Sequence, residues 1–128
     1  MAKVKEAQTP KEIIYAVVDG AFEWAELHPE QVALMILLYY LCCSSEEYRN
    51  FHTKIRVVGL ERLCFVVSKL YPERSNWEVR KMGSHFQRLI TSYLLDAFTI
   101  SSSPELEKLK KELKHHIEFL LNSKKSWV

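Results

Sequence analysis

The chain carries few side chains suited to catalysis. Its cysteines are Cys42, Cys43 and Cys64, its histidines His28, His52, His85, His115 and His116, and its aspartates Asp19 and Asp96. A thiol beside an imidazole makes a nucleophile pair, but only a fold can bring such partners together. No G-x-S-x-G, H-E-x-x-H or glycine-rich phosphate loop occurs. Cysteine is among the most buried residue types, so Cys42 and Cys43, adjacent in an apolar run, read as small core residues. On a helix His115 and His116 would point about 100° apart and could not grip one metal together. A zinc site would have to recruit His52 or Cys64 without any recognisable ligand spacing. The residues therefore predict no enzyme, no metal and no cofactor.

Bulk properties narrow the remaining classes. At 128 residues, with 48% hydrophobic and 27% charged side chains, the sequence has the size and composition of one globular domain. A net charge of +2 gives no concentrated basic surface for nucleic acid. Three cysteines without C-x-x-C spacing do not form a disulfide framework, which predicts a reducing, cytoplasmic compartment. The start, "MAKVKEAQTP", lacks the apolar stretch of a signal peptide. The longest apolar run, Val32 to Cys43, falls short of the ~18–20 residues that span a bilayer, so no membrane span is expected.

Five helices account for the patterning between a tail of residues 1–8 and a second tail of residues 124–128, with one helical domain over 9–123. "TPKE" starts the first, with Thr9 as cap, Pro10 in the first turn and Glu12 closing a capping box. It should run over about 10–27, with Ile13, Ile14, Val17, Val18, Ala21, Phe22 and Ala25 on one face. Pro29 begins the second, about 29–43, whose later half is apolar on every side and should be enclosed by other helices. The third starts from Ser44 or Ser45 and runs to about Tyr71. Its stripe shifts from Tyr48, Phe51, Ile55 and Val58 to Leu60, Leu63, Val67 and Leu70, which predicts a kink or a change of packing partner near Gly59. The fourth covers about 76–99, and the fifth, capped by Ser102 or Ser103, runs to about 122. The fifth helix's lysines alternate with glutamates, in pairs such as Glu107 with Lys111, as on a solvated face.

Aromatic residues concentrate in the first three helices: Phe22, Trp24, Tyr39, Tyr40, Phe51 and Phe65, together with Met35. They suit an ordinary core, and with polar tips such as His52 they also suit the wall of an apolar ligand pocket. On the fourth helix Phe86, Leu89, Ile90, Tyr93, Leu94, Ala97, Phe98 and Ile100 cover about half the circumference, more than the ~100° a one-sided helix needs. The fifth adds a seam of Leu106, Leu109, Leu113, Ile117 and Leu120. Either both helices are satisfied inside one chain, or they form a self-complementary four-helix interface across a two-fold axis.

The stretch "AFEWAELHPEQVALMILLYYLCCSSEEYRNFHTKIRVVGLERL", a later "FQRLITSYLLDAFTIS" and a capped last helix together resemble the C-terminal domain of TetR-family transcriptional regulators. That resemblance implies an all-α, five-helix TetR C-terminal-like bundle whose last two helices form a four-helix dimer interface. It places Phe22, Met35, Tyr39, Phe51 and Ile55 near an effector cavity. It turns Phe86, Ile90, Tyr93, Ala97, Leu109, Leu113 and Ile117 toward a partner subunit. The family's helix-turn-helix needs about fifty residues, and only eight precede Thr9, so direct DNA binding is not expected. The expectation is a non-enzymatic homodimeric regulatory domain that senses a small apolar ligand, a protein partner or both. Its rival is a pure protein-interaction adaptor whose core is filled.

Overall fold

The structure, a computed structural model, describes residues 9–99 and 103–122. Among them the chain is all-helical, with five helices: α1 (Pro10–Leu27), α2 (Pro29–Cys42), α3 (Glu46–Leu70), α4 (Asn76–Ala97) and α5 (Ser103–Asn122). Local chemistry sets their starts. The Glu12 amide donates to Thr9 Oγ1 at 3.1 Å, Pro29 occupies the first turn of α2, and the Tyr48 amide donates to Ser45 Oγ at 3.4 Å. At α4 the Glu78 amide donates to Ser75 Oγ at 3.2 Å, while the Ser75 amide reaches Glu78 Oε1 at 3.5 Å, a reciprocal capping box. Arg74 lies 2.8 Å from the same carboxylate and, with the Ser75 bonds, holds the Glu78 carboxyl below the usual carboxylate range. The candidate cap Ser102 lies outside the described residues.

The described residues group into two compact units. One holds α1, α5 and the part of α4 from Arg88 onward. Here α1 buries Ile14, Val17, Val18, Phe22 and Ala25, spaced to form one helical face. α1 packs on α5 in antiparallel sense, and the polar contacts follow that direction. Tyr15 donates its hydroxyl proton to the Glu118 carboxylate, Lys11 lies 3.4 Å from Glu118, and Lys114 lies 2.7 Å from Asp19. Leu113 and Ile117 on α5 are buried, as are Leu94 and Ala97 on α4.

The other unit spans His28–Gln87. α2 and α3 form an antiparallel hairpin, closed where Arg49 donates to the Cys42 carbonyl at 2.9 Å and so caps the C-terminal end of α2. The first part of α4 comes close to α3 at Gly83 and Gln87. A Cβ on Gly83 would fall 2.8 Å from Cys64 Sγ, and Gln87 Nε2 donates to the Arg56 carbonyl at 2.8 Å.

Two expectations change here. The apolar run of α2 is not an enclosed central helix: only Val32 is buried, while Leu34 and Tyr40 are 63% and 72% exposed. Absence of a polar face therefore marks a helix with two apolar sides, of which this chain covers one. α3 runs unbroken through Gly59, and its two stripes lie on different faces. Tyr48, Phe51, Ile55 and Val58 point outward, whereas Val67 is buried and Leu60, Leu63 and Leu70 are half-buried. The shift is thus between two faces of one helix: the first stripe stays outward, while a separate inner line meets α2 at His52 and α4 from Arg56 to Cys64.

Candidate interaction surface

Cys64 donates to the Val79 carbonyl at 3.8 Å, and burial pushes its thiol above the ordinary value. That disfavours the thiolate a nucleophile needs. Cys43 is exposed and Cys42 half-buried, both as free thiols. Among the described residues, no three histidine, cysteine or acidic side chains come together as a metal site. Burial, with the nearby Arg56 charge, holds His52 below the ordinary imidazole range.

The residues expected around a ligand cavity fall in both units. Phe22 is buried in the unit of α1 and α5, whereas Met35, Tyr39, Phe51, His52 and Ile55 belong to the α2–α3 unit. Tyr39 and His52 meet edge to face with ring centroids 4.5 Å apart, and Met35 is half-buried on the same helix as Tyr39. Phe51 and Ile55 share α3 with His52. Both are exposed, because they lie on the outward stripe of α3 rather than the line that carries His52.

The residues expected at a dimer interface are buried or half-buried in the single chain. Phe86, Ala97, Leu113 and Ile117 are buried, and Ile90, Tyr93 and Leu109 are half-buried, with the Tyr93 and His116 rings 6.4 Å apart.

The lysines of α5 line a shallow depression with Pro104 and Glu107. Lys114 and Lys110 face Asp19, at 2.7 and 3.9 Å, and Lys110 also pairs with Glu107 at 3.3 Å, where Lys111 was the expected partner. Acidic neighbours thus offset the positive charge that an anion would need.

What the structure leaves open is apolar. α2 exposes Leu34, Ile36, Leu37 and Tyr40, and α3 exposes Tyr48, Phe51, Ile55, Val58 and Phe65. On a helical wheel Leu34, Leu37 and Tyr40 turn away from Val32, Met35 and Tyr39, with Ile36 at the edge between the two sides, and no polar residue interrupts the run from Val32 to Cys43. No helix among the described residues is long and apolar enough to cross a membrane, so a span does not explain it. Exposed patches of this kind mark places where a protein meets something else. Sequence reasoning identified the residues but assigned them inward; unbroken apolarity over both sides of α2 was the available signal. In comparisons with known proteins, no family model, no curated protein and no solved structure matches the chain.

Proposed function

We propose that this chain is a non-enzymatic helical interaction module, of the kind the C-terminal regulatory domains of TetR-like regulators provide, and that it holds another protein against α2. The observation that carries this reading is the outward face of α2, where Leu34, Ile36, Leu37 and Tyr40 all stand in solvent. Such side chains at helical spacing present the i, i+3 anchors that fit a groove or a second helix. Capture of a small apolar ligand is the second reading, supported by the half-buried set Met35, Tyr39 and His52. The outward position of Phe51 and Ile55 favours the adaptor over the sensor, because a ligand enclosed by one chain needs those walls turned inward.

A photo-crosslinking residue at Tyr40 tests the leading reading inside cells of the source organism. A discrete adduct with another protein at Tyr40, absent when the same group replaces Glu105 on α5, is expected. Equal labelling at both positions would sink the proposal.

A further inference from the structure

The outward stripe of α3 continues past Val58. Tyr48, Phe51, Ile55, Val58, Arg62 and Phe65 follow at alternating spacings of three and four, the 3.5-residue repeat of a coiled-coil seam. All six are exposed, and they lie within about 100° of arc on the helix. This repeat is distinct from the inner line of α3, and about half of each large side chain on it remains exposed.

The seam is self-complementary when reversed. In an antiparallel pair, seam positions meet so that their numbers sum to a constant. A two-fold axis between Arg56 and Val57 sets Ile55 against the partner's Val58, Phe51 against the partner's Arg62, and Tyr48 against the partner's Phe65. Every layer then combines one position of each seam type, the packing of antiparallel coiled coils. Arg62, the only charge in the seam, meets an aromatic face, which an arginine accommodates.

Charge agrees with that register. Flanking the seam on one side stand Glu47, Lys54 and Glu61. The antiparallel register brings Lys54 beside the partner's Glu61, and by symmetry Glu61 beside the partner's Lys54. Neither has an opposite charge three or four places away in its own helix, where Asn50, Phe51, Val57, Val58, Cys64 and Phe65 stand. A parallel pair would instead set Lys54 near the partner's Gly59 and Glu61 near the partner's Val66, pairing no charge.

Area is consistent with a modest dimer. About half of each of five large side chains, with Arg62, offers roughly 600 Å² per copy. Twice that reaches the ~1,200 Å² floor of specific interfaces.

We propose that α3 is a self-association helix, pairing antiparallel with α3 of a second copy through Tyr48, Phe51, Ile55, Val58, Arg62 and Phe65, with Lys54 and the partner's Glu61 fixing the register. This goes beyond the capture of another protein on α2, and the two are tested on different helices.

Analytical ultracentrifugation of the full chain from about 1 to 500 μM is the test. A species of twice the 15.1 kDa chain mass is expected in the upper part of that range. Ile55→Glu should abolish it while circular dichroism and the melting temperature stay near wild type. Lys54→Glu should weaken the dimer on the order of tenfold, and Lys54→Glu combined with Glu61→Lys should restore it. A chain monomeric throughout the range overturns the proposal, assigns the seam to a different protein and leaves the α2 reading standing. A dimer unaffected by Ile55→Glu also overturns it. A dimer lost with Ile55→Glu but indifferent to both charge changes overturns the antiparallel register.

Discussion

Tyr39 on α2 and His52 on α3 meet edge to face, with ring centroids 4.5 Å apart, and this contact joins the two arms of the hairpin. The imidazole is partly buried and near the Arg56 charge, so its pKa in the folded chain lies below the ordinary 6.5. The unfolded chain therefore binds a proton at His52 more readily than the folded one. The resulting stability is present above about pH 6.5 and is lost as pH falls from there through the lowered folded value. His52→Phe keeps a ring against Tyr39 and removes the titration, so its stability should fall less between pH 6.5 and 5 than that of wild type. Urea melts at both pH values check this, and parallel losses in the two proteins would refute it.

Gly83 and Gly59 are both helical glycines, yet alanine should act differently at each. In a helix interior alanine is ordinarily favoured by about 1 kcal/mol. At Gly83 the new methyl would sit 2.8 Å from Cys64 Sγ, which could turn away only by leaving the Val79 carbonyl, and 3.3 Å from the Cys64 backbone nitrogen, which cannot move without moving α3. Overpacking of this sort costs about 1–3 kcal/mol, so Gly83→Ala should be a net loss. At Gly59 the nearest atom is the terminal amide nitrogen of Gln87 at 3.1 Å, the far end of a flexible side chain. Gly59→Ala should stay within about 1 kcal/mol of wild type. Denaturant midpoints decide, and a stabilised Gly83→Ala would show that α3 and α4 are not in close contact there.

Helix starts were legible because their causes lie within four residues of chain: Thr9 with Glu12, Pro29, and Ser45 ahead of Tyr48. The signature of Thr9 and Glu12 recurs at Ser75 and Glu78, where the structure shows the same cap. The buried face of α1 was equally plain, since Ile14, Val17, Val18, Phe22 and Ala25 repeat at helical spacing against charged residues such as Glu23 and Glu26. On the inner line of α3 the stripe of Leu60, Leu63, Val67 and Leu70 was legible, but the part before it was not. It works through a ring edge at His52, a backbone carbonyl at Arg56 and a missing Cβ at Gly59, none of which is apolar. Nor does the type of Phe51 or Leu37 say whether its cover comes from this chain or another. Hydrophobicity fixes only that burial is favourable.

Tyr15 should be the last tyrosine to ionise. Its hydrogen bond to Glu118, with smaller contributions from burial and the Glu118 charge, pushes its pKa up to about 12. The same bond holds the Glu118 carboxyl below its usual range, with help from Lys11. A raised folded pKa means that this contribution to stability is complete below the unfolded value of about 10 and is lost as pH rises through about 12. In an ultraviolet titration of the six tyrosines, Glu118→Gln should move one transition downward from near 12. An unchanged curve would mean that Tyr15 does not hold its proton against that carboxylate.

The two sides of α2 should answer substitution in opposite ways. Val32 is 1% exposed, and Val32→Ala removes two methyl groups from packed surroundings, for a loss of about 2 kcal/mol. Leu37, five residues on, is half exposed, and lysine keeps good helix propensity at an outward site. Leu34→Lys with Leu37→Lys should therefore leave stability within about 1 kcal/mol, since outward substitutions remove little packing. The same pair should lower the fluorescence of a hydrophobic dye on the native chain, because it breaks the continuous apolar patch that the dye would occupy. Thermal melts and dye titration together separate an outward α2 from an enclosed one. If both lysines unfold the chain as readily as a change at Val32, the run from Val32 to Cys43 is a core helix and no partner surface is left on it.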